Sequence, residues 1–249
     1  MELRDKLDLK GDLEIAREIQ FSLVPSEPFH QDGMSICYSM RPANTIGGDY
    51  YDVIPLDKTR VAIVVGDVSG KGIPAALLMA LLQGSLRTLT SAGLRGIELI
   101  TKLNEYLSAN IPMERLITLF YGELELASGN LTYINAGHNA PFLIKPGQPQ
   151  ERLAATSLIL GFRADSQVEA KETHIGPGEG LLLFTDGITE AFNEKEEEYG
   201  ETRLADFLQA HANTPPDVLI KNITDEVVAF CNSAKPSDDM TLMLVTRQA

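Results

Sequence analysis

Four short segments of this 249-residue chain share one design: an apolar strand, then an aspartate, then glycine or another small residue. They read IGGDYYD at 46–52, VVGDVSGKG at 64–72, LFTDG at 183–187 and SDDMT at 237–241, the last leading into a final strand. An aspartate at a strand end puts a carboxylate at the edge of a sheet, and adjacent glycine lets backbone approach a ligand closely. One such corner is only a turn, because Asp and Gly favour turns for their own reasons. Four of them constrain the fold. If they converge, their carboxylates cannot all ionise without a counter-charge, since two charges about 4 Å apart repel by roughly 4 kcal/mol at a surface-like dielectric. A hard divalent cation resolves the conflict, and oxygen-only ligands point to magnesium or manganese rather than zinc.

The rest of the sequence removes competing classes. The formal net charge is −14, from 21 Lys+Arg and 35 Asp+Glu, which disfavours nucleic acid and acidic lipid surfaces as partners. Cys37 and Cys231 stand in no CxxC or His/Cys cluster, so they read as buried, reduced thiols rather than zinc ligands. The four histidines, His30, His138, His174 and His211, have no metal-ligand spacing. Gly66 to Lys71 has three spacers where a P-loop needs four, and Gly72 stands where that motif needs Ser or Thr. No G-x-S-x-G elbow marks a serine hydrolase. With no apolar leader after Met1 and no uninterrupted apolar run of about 18 residues, the expectation is a cytoplasmic chain with no membrane span.

Hydrophobic periodicity predicts a helix over 2–23, whose Leu9, Leu13, Ala16 and Leu23 form an apolar stripe broken by the polar Gln20. Strands are predicted at 35–40, 60–65, 116–126, 130–135, 142–145, 169–174, 180–185 and 240–246. Helices are predicted at 75–89, opened by Pro74, and at 97–107, 201–210 and 216–231. Strands grouped together with helices in pairs point to α+β layers rather than a repeating βαβ fold.

The corners, in this order, resemble the PPM-type (type 2C-like) protein phosphatases, and more narrowly their bacterial SpoIIE/RsbU branch. The matching text is AREIQ at 16–20 leading to Pro25, GGDYYD at 47–52, GDVSGKG at 66–72, NAGHNAP at 135–141, LLLFTDGITEA at 181–191 and SDDMT at 237–241. The resemblance implies a four-layer α/β/β/α sandwich, two antiparallel sheets flanked by helix pairs. It divides the chain into an N-terminal linker or dimerisation helix (1–24) and a phosphatase domain (25–249).

It also implies two Mn2+ or Mg2+ ions that activate a water against phosphoserine or phosphothreonine. Asp67 takes the bridging position, with the Val68 carbonyl beside it. Asp49 serves the second metal, partly through water, and Asp186 and Asp238 serve the first. Asp239 competes with Asp238, which stands two before Met240 as the family's ligand does. Ser69 occupies the place of a histidine that is a proposed leaving-group acid in eukaryotic members, which leaves water or His138 for that step. Arg41 lies near the place of their phosphate-binding arginine, although a strand-flanking role suits it better.

The implied substrate is a phosphorylated regulatory protein, such as a STAS-type anti-sigma-factor antagonist. An upstream sensor or activator and homodimerisation through the N-terminal helix belong to the same expectation. A pseudophosphatase acting as an adaptor is the alternative; the presence of all the expected carboxylates argues against it.

Overall fold

Several short apolar runs are strands covered on both faces. In the computed structural model, which describes every residue except Met1, Pro149, Ser233, Lys235 and Pro236 and only the backbone of residues 2–8, Leu181 and Leu183 belong to the larger core. Leu182 and Phe184 belong to a second core. The final strand divides likewise, Met243 and Val245 from Leu242 and Leu244. Period-2 alternation is therefore present but hidden, because both sides of the strand are apolar.

The chain runs α1 (Glu2–Ser22), β1 (Phe29–Gln31), β2 (Met34–Arg41), β3 (Tyr50–Pro55), β4 (Arg60–Val68), α2 (Ile73–Ser91), α3 (Gly96–Asn110), β5 (Ile117–Glu125), β6 (Asn130–Ala136), β7 (Phe142–Ile144), β8 (Glu151–Arg152), β9 (Lys171–His174), β10 (Gly180–Phe184), α4 (Asp186–Thr189), α5 (Gly200–Ala210), α6 (Pro216–Cys231) and β11 (Met240–Arg247). One sheet has the order β1-β2-β11-β10-β7-β8 and the other β3-β4-β5-β6-β9. Every pairing within them is antiparallel. Helices α2 and α3 pack on the five-stranded sheet, and α5 and α6 on the six-stranded one. The result is the predicted α+β sandwich of two antiparallel sheets between helix pairs.

The predicted helices and longer strands correspond to elements of the structure, with ends shifted by a few residues. β3 was hidden inside the first acidic corner, and β1 and β8 are too short to leave a pattern. The shared design needs one correction. Asp67 is the penultimate residue of β4 and Asp186 follows β10, but Asp49 and Asp238 precede β3 and β11. In antiparallel sheets the end of one strand lies beside the start of the next, so both arrangements reach the same edge.

Helix α2 departs from the expectation of no span, being long and apolar enough, by length and composition, to cross a membrane. Its Ala75, Met79, Leu82 and Leu86 are nevertheless buried in the core shared with β3 and β4. Both cysteines are buried and unpaired.

Candidate metal centre

The four corners meet, and glycine is what allows it. A Cβ on Gly47 would overlap the Asp239 carboxylate, and one on Gly187 would overlap the Asp239 carbonyl. A Cβ on Gly48 would lie 2.7 Å from the Val68 carbonyl oxygen. The first corner thus touches the second and fourth, and the third touches the fourth, at separations only a bare backbone tolerates. Hydrogen bonds fix the arrangement. Thr185 donates its hydroxyl to Asp49 Oδ2 (2.8 Å) and accepts from the Thr241 amide (3.0 Å), tying three corners through one side chain. Lys71 Nζ reaches Asp238 Oδ2 (2.9 Å) and the Ser237 carbonyl, joining the second corner to the fourth.

The carboxylates feel this crowding. Asp49 is buried, and desolvation together with Asp67 and Asp239 pushes its pKa well above the usual carboxylate range. Asp67 rises to about 7, through burial and then Asp186, Asp238 and Asp239; hydrogen bonding with Asp49 works the other way. Asp186 rises to about 6, through burial, Glu190 and Asp238, against the Gly187 amide and Lys71. Asp67, Asp186 and Asp238 are part-exposed, so the cluster opens to solvent. Among the described residues, no three His, Cys, Asp or Glu side chains are closed into a ready-made cage. The donor set, carboxylates plus the Val68 carbonyl, is all oxygen and in excess of its cationic neighbours, which fits a hard divalent ion.

Asp238 and Asp239 differ sharply. Asp239 is buried and accepts the amides of Ala43 (2.8 Å) and Gly48 (2.7 Å), so it braces the first corner. Asp238 has a 34% exposed side chain with Lys71 as its partner.

A scan against family models matches residues 57–248 to Stage II sporulation protein E (SpoIIE). The chain belongs to the SpoIIE family. It is 30% identical to protein IcfG of Synechocystis sp. (strain ATCC 27184 / PCC 6803 / Kazusa), over 95% of this chain and 41% of that protein. It is 28% identical to phosphoserine phosphatase RsbU of Bacillus subtilis (strain 168), over 97% of this chain and 71% of that one. The chain thus spans less than half the length of IcfG. Among solved structures, the SiaA-PP2C domain of Pseudomonas aeruginosa superposes with a TM-score of 0.83 at 20% identity, covering 98% of this chain and 99% of that one, a likeness of fold. The SpoIIE match starts after the Asp49 corner, whereas the pairwise alignments reach nearly the whole chain.

Several residues carry roles that sequence reasoning missed. Gln20, read as a break in the α1 stripe, is buried, donates Nε2 to the Gly47 carbonyl (2.7 Å) and accepts the Gly47 amide (3.1 Å). Asp52 is fully buried, takes a two-pronged contact from Arg87 of α2 (2.7 Å each) and accepts the Tyr50 hydroxyl (2.6 Å). Lys71, inside the GDVSGKG segment, ties the second corner to the fourth. Gln20 carries a signal of its own, a polar residue at an apolar position. His138 is buried, with Nδ1 2.8 Å from Thr118 Oγ1, and desolvation lowers it to about 4. It is neutral near pH 7 and unsuited to protonating a leaving group there. Arg41 lines a small cavity with Gly187, Cys231 and Met240, in keeping with a strand-flanking role.

Proposed function

We propose that this chain is a divalent-metal-dependent protein serine/threonine phosphatase. The observation that carries the reading is the meeting of four aspartate corners whose carboxylates, in excess of their cationic neighbours, raise one another's pKa. Membership of the SpoIIE family and alignment with a phosphoserine phosphatase support it. Asp67 would bridge two ions, with the Val68 carbonyl beside it. Asp49 would serve one ion, partly through water, and Asp186 and Asp238 the other. The employment of Asp239 on two backbone amides favours Asp238 as the ligand. Bound Mn2+ or Mg2+ would activate a water for attack on phosphorus and balance charge on the phosphoryl oxygens. The chain's own part is to hold the donors. Thr185 orients Asp49, Lys71 steadies Asp238, and Asp239 fixes the Gly47–Gly48 backbone.

The substrate in this reading is phosphoserine or phosphothreonine on a regulatory protein, such as a STAS-type anti-sigma-factor antagonist, in the cytoplasm. Residues 1–24 form the linker that receives an upstream sensor or activator and pairs two copies, and 25–249 form the catalytic domain. An apolar groove between α1 and α2, lined by Leu9, Leu13, Ile19, Ile73 and Leu77, supports the pairing. The test is aryl phosphate hydrolysis with and without Mn2+, beside Asp186→Asn. Metal-dependent turnover, lost in the variant, is expected; metal-independent hydrolysis or an unaffected variant contradicts the reading.

A further inference from the structure

Three large apolar side chains stand in water on loops that hydrogen bonds tie back to the second acidic corner. Met113 is 85% exposed, Phe162 55% and Leu158 54%. They sit on two loops, 111–116 between α3 and β5 and 157–163 before β9. Exposed apolar residues on slack loops carry little meaning, but these loops are laced together. Ile117 and Leu160 exchange both backbone hydrogen bonds (3.2 and 2.9 Å). Asn104, buried on α3, accepts the Gly161 amide (3.0 Å) and donates to the Arg163 carbonyl (2.7 Å). Gly161 has a φ of +83° and packs where a Cβ would come within 2.6 Å of Ile111 Cδ1. The apolar groups are therefore displayed on a stiff rim, an arrangement that marks an interaction site rather than a folding remnant.

The rim is continuous with the acidic corners. Thr118, just past the first loop, is the register partner of Asp67. Arg115 donates Nη1 to the Ser69 carbonyl (2.8 Å), and the Ser69 hydroxyl accepts the Leu116 amide (2.9 Å). With one guanidinium N–H on Ser69, Arg115 keeps further donors for an anionic partner at the inner edge of the rim. Arg163, farther out, is paired with Asp165. A positive group beside the centre and apolar groups beyond it match a chain segment that carries a phosphoryl group flanked by apolar side chains.

We infer that Met113, Leu158 and Phe162 form the docking rim for the substrate protein, seating an apolar residue next to the phosphoserine. The inference rests on the phosphatase reading and adds a sequence preference to it. The probes are aryl phosphate and two ten-residue phosphoserine peptides, one with leucine and one with serine on both sides of the phosphoserine. Wild-type protein should show kcat/KM for the leucine peptide at least about tenfold above that for the serine peptide, mainly through KM. A Met113→Ser/Phe162→Ser double variant should lose that ratio and lower the leucine-peptide to aryl-phosphate ratio by a similar factor. Both positions are exposed, and a melting temperature within a few degrees of wild type checks the fold. Equal wild-type rates on the two peptides, zero included, overturn the rim while aryl phosphate turnover keeps the phosphatase reading standing. A preference that survives in the variant overturns it too. So does a variant that changes only the sedimentation of the protein, which would assign the rim to contact between copies. Absence of metal-dependent turnover on every probe removes the phosphatase reading and the rim with it.

Discussion

Adjacent aspartates at 238 and 239 have different surroundings, and their variants should separate. Asp239 accepts the buried Gly48 amide and the half-buried Ala43 amide. Asp239→Ala leaves the buried Gly48 amide unsatisfied, at about 1–3 kcal/mol, so a drop in melting temperature is expected even without metal. Asp238→Asn removes a charge from a repelling cluster and should leave the metal-free melting temperature level or higher, while weakening Mn2+ binding at least tenfold by calorimetry. Matching losses of stability in the two variants would contradict this division. The sequence showed both aspartates and the Met240 offset, but not which carboxylate the amides of Ala43 and Gly48 would take. Those amides lie almost two hundred positions away in the chain, and no local pattern records such a contact. The same holds for Asp52, visible inside GGDYYD yet without a hint of Arg87 as its partner.

Two helices are held to the site by single polar latches. Arg87 fastens α2 to β3 through Asp52, which has no exposure of its own. Arg87→Ala removes the cation from a buried carboxylate that keeps the Tyr50 hydroxyl; because Arg87 is itself part-exposed, a destabilisation of about 1–3 kcal/mol is expected in urea unfolding. Helix α1 is latched by Gln20 to the Gly47 backbone, two residues from Asp49. Gln20→Ala should speed amide exchange at Gly47 and Gly48 and alter turnover, with little change in global unfolding; unchanged exchange would detach α1 from the centre. Element types were legible because strands such as β4 and β10 are continuous apolar runs and the helices keep a 3.6-residue period. The latches were not, because a single polar residue on an apolar stripe reads as a flaw until its partner is seen.

At the scale of the molecule, the sandwich gathers unbalanced negative charge at one edge. The raised pKa of Asp67 and of Asp186 has a definite sign for stability. An acid whose folded value lies above its unfolded one binds more protons when folded. Metal-free protein should therefore lose stability as pH climbs from about 4 through 7, the window between the ordinary carboxylate value and the raised ones. Saturating Mn2+ should flatten that slope, read as melting temperature against pH; a slope of opposite sign would mean the carboxylates do not face one another. Anomalous diffraction from crystals grown with Mn2+ decides whether the four corners share metal. Two manganese peaks ringed by Asp49, Asp67, Asp186 and Asp238 are expected, with Asp239 still on its amides. Peaks elsewhere, or none at saturating metal, would contradict that sharing.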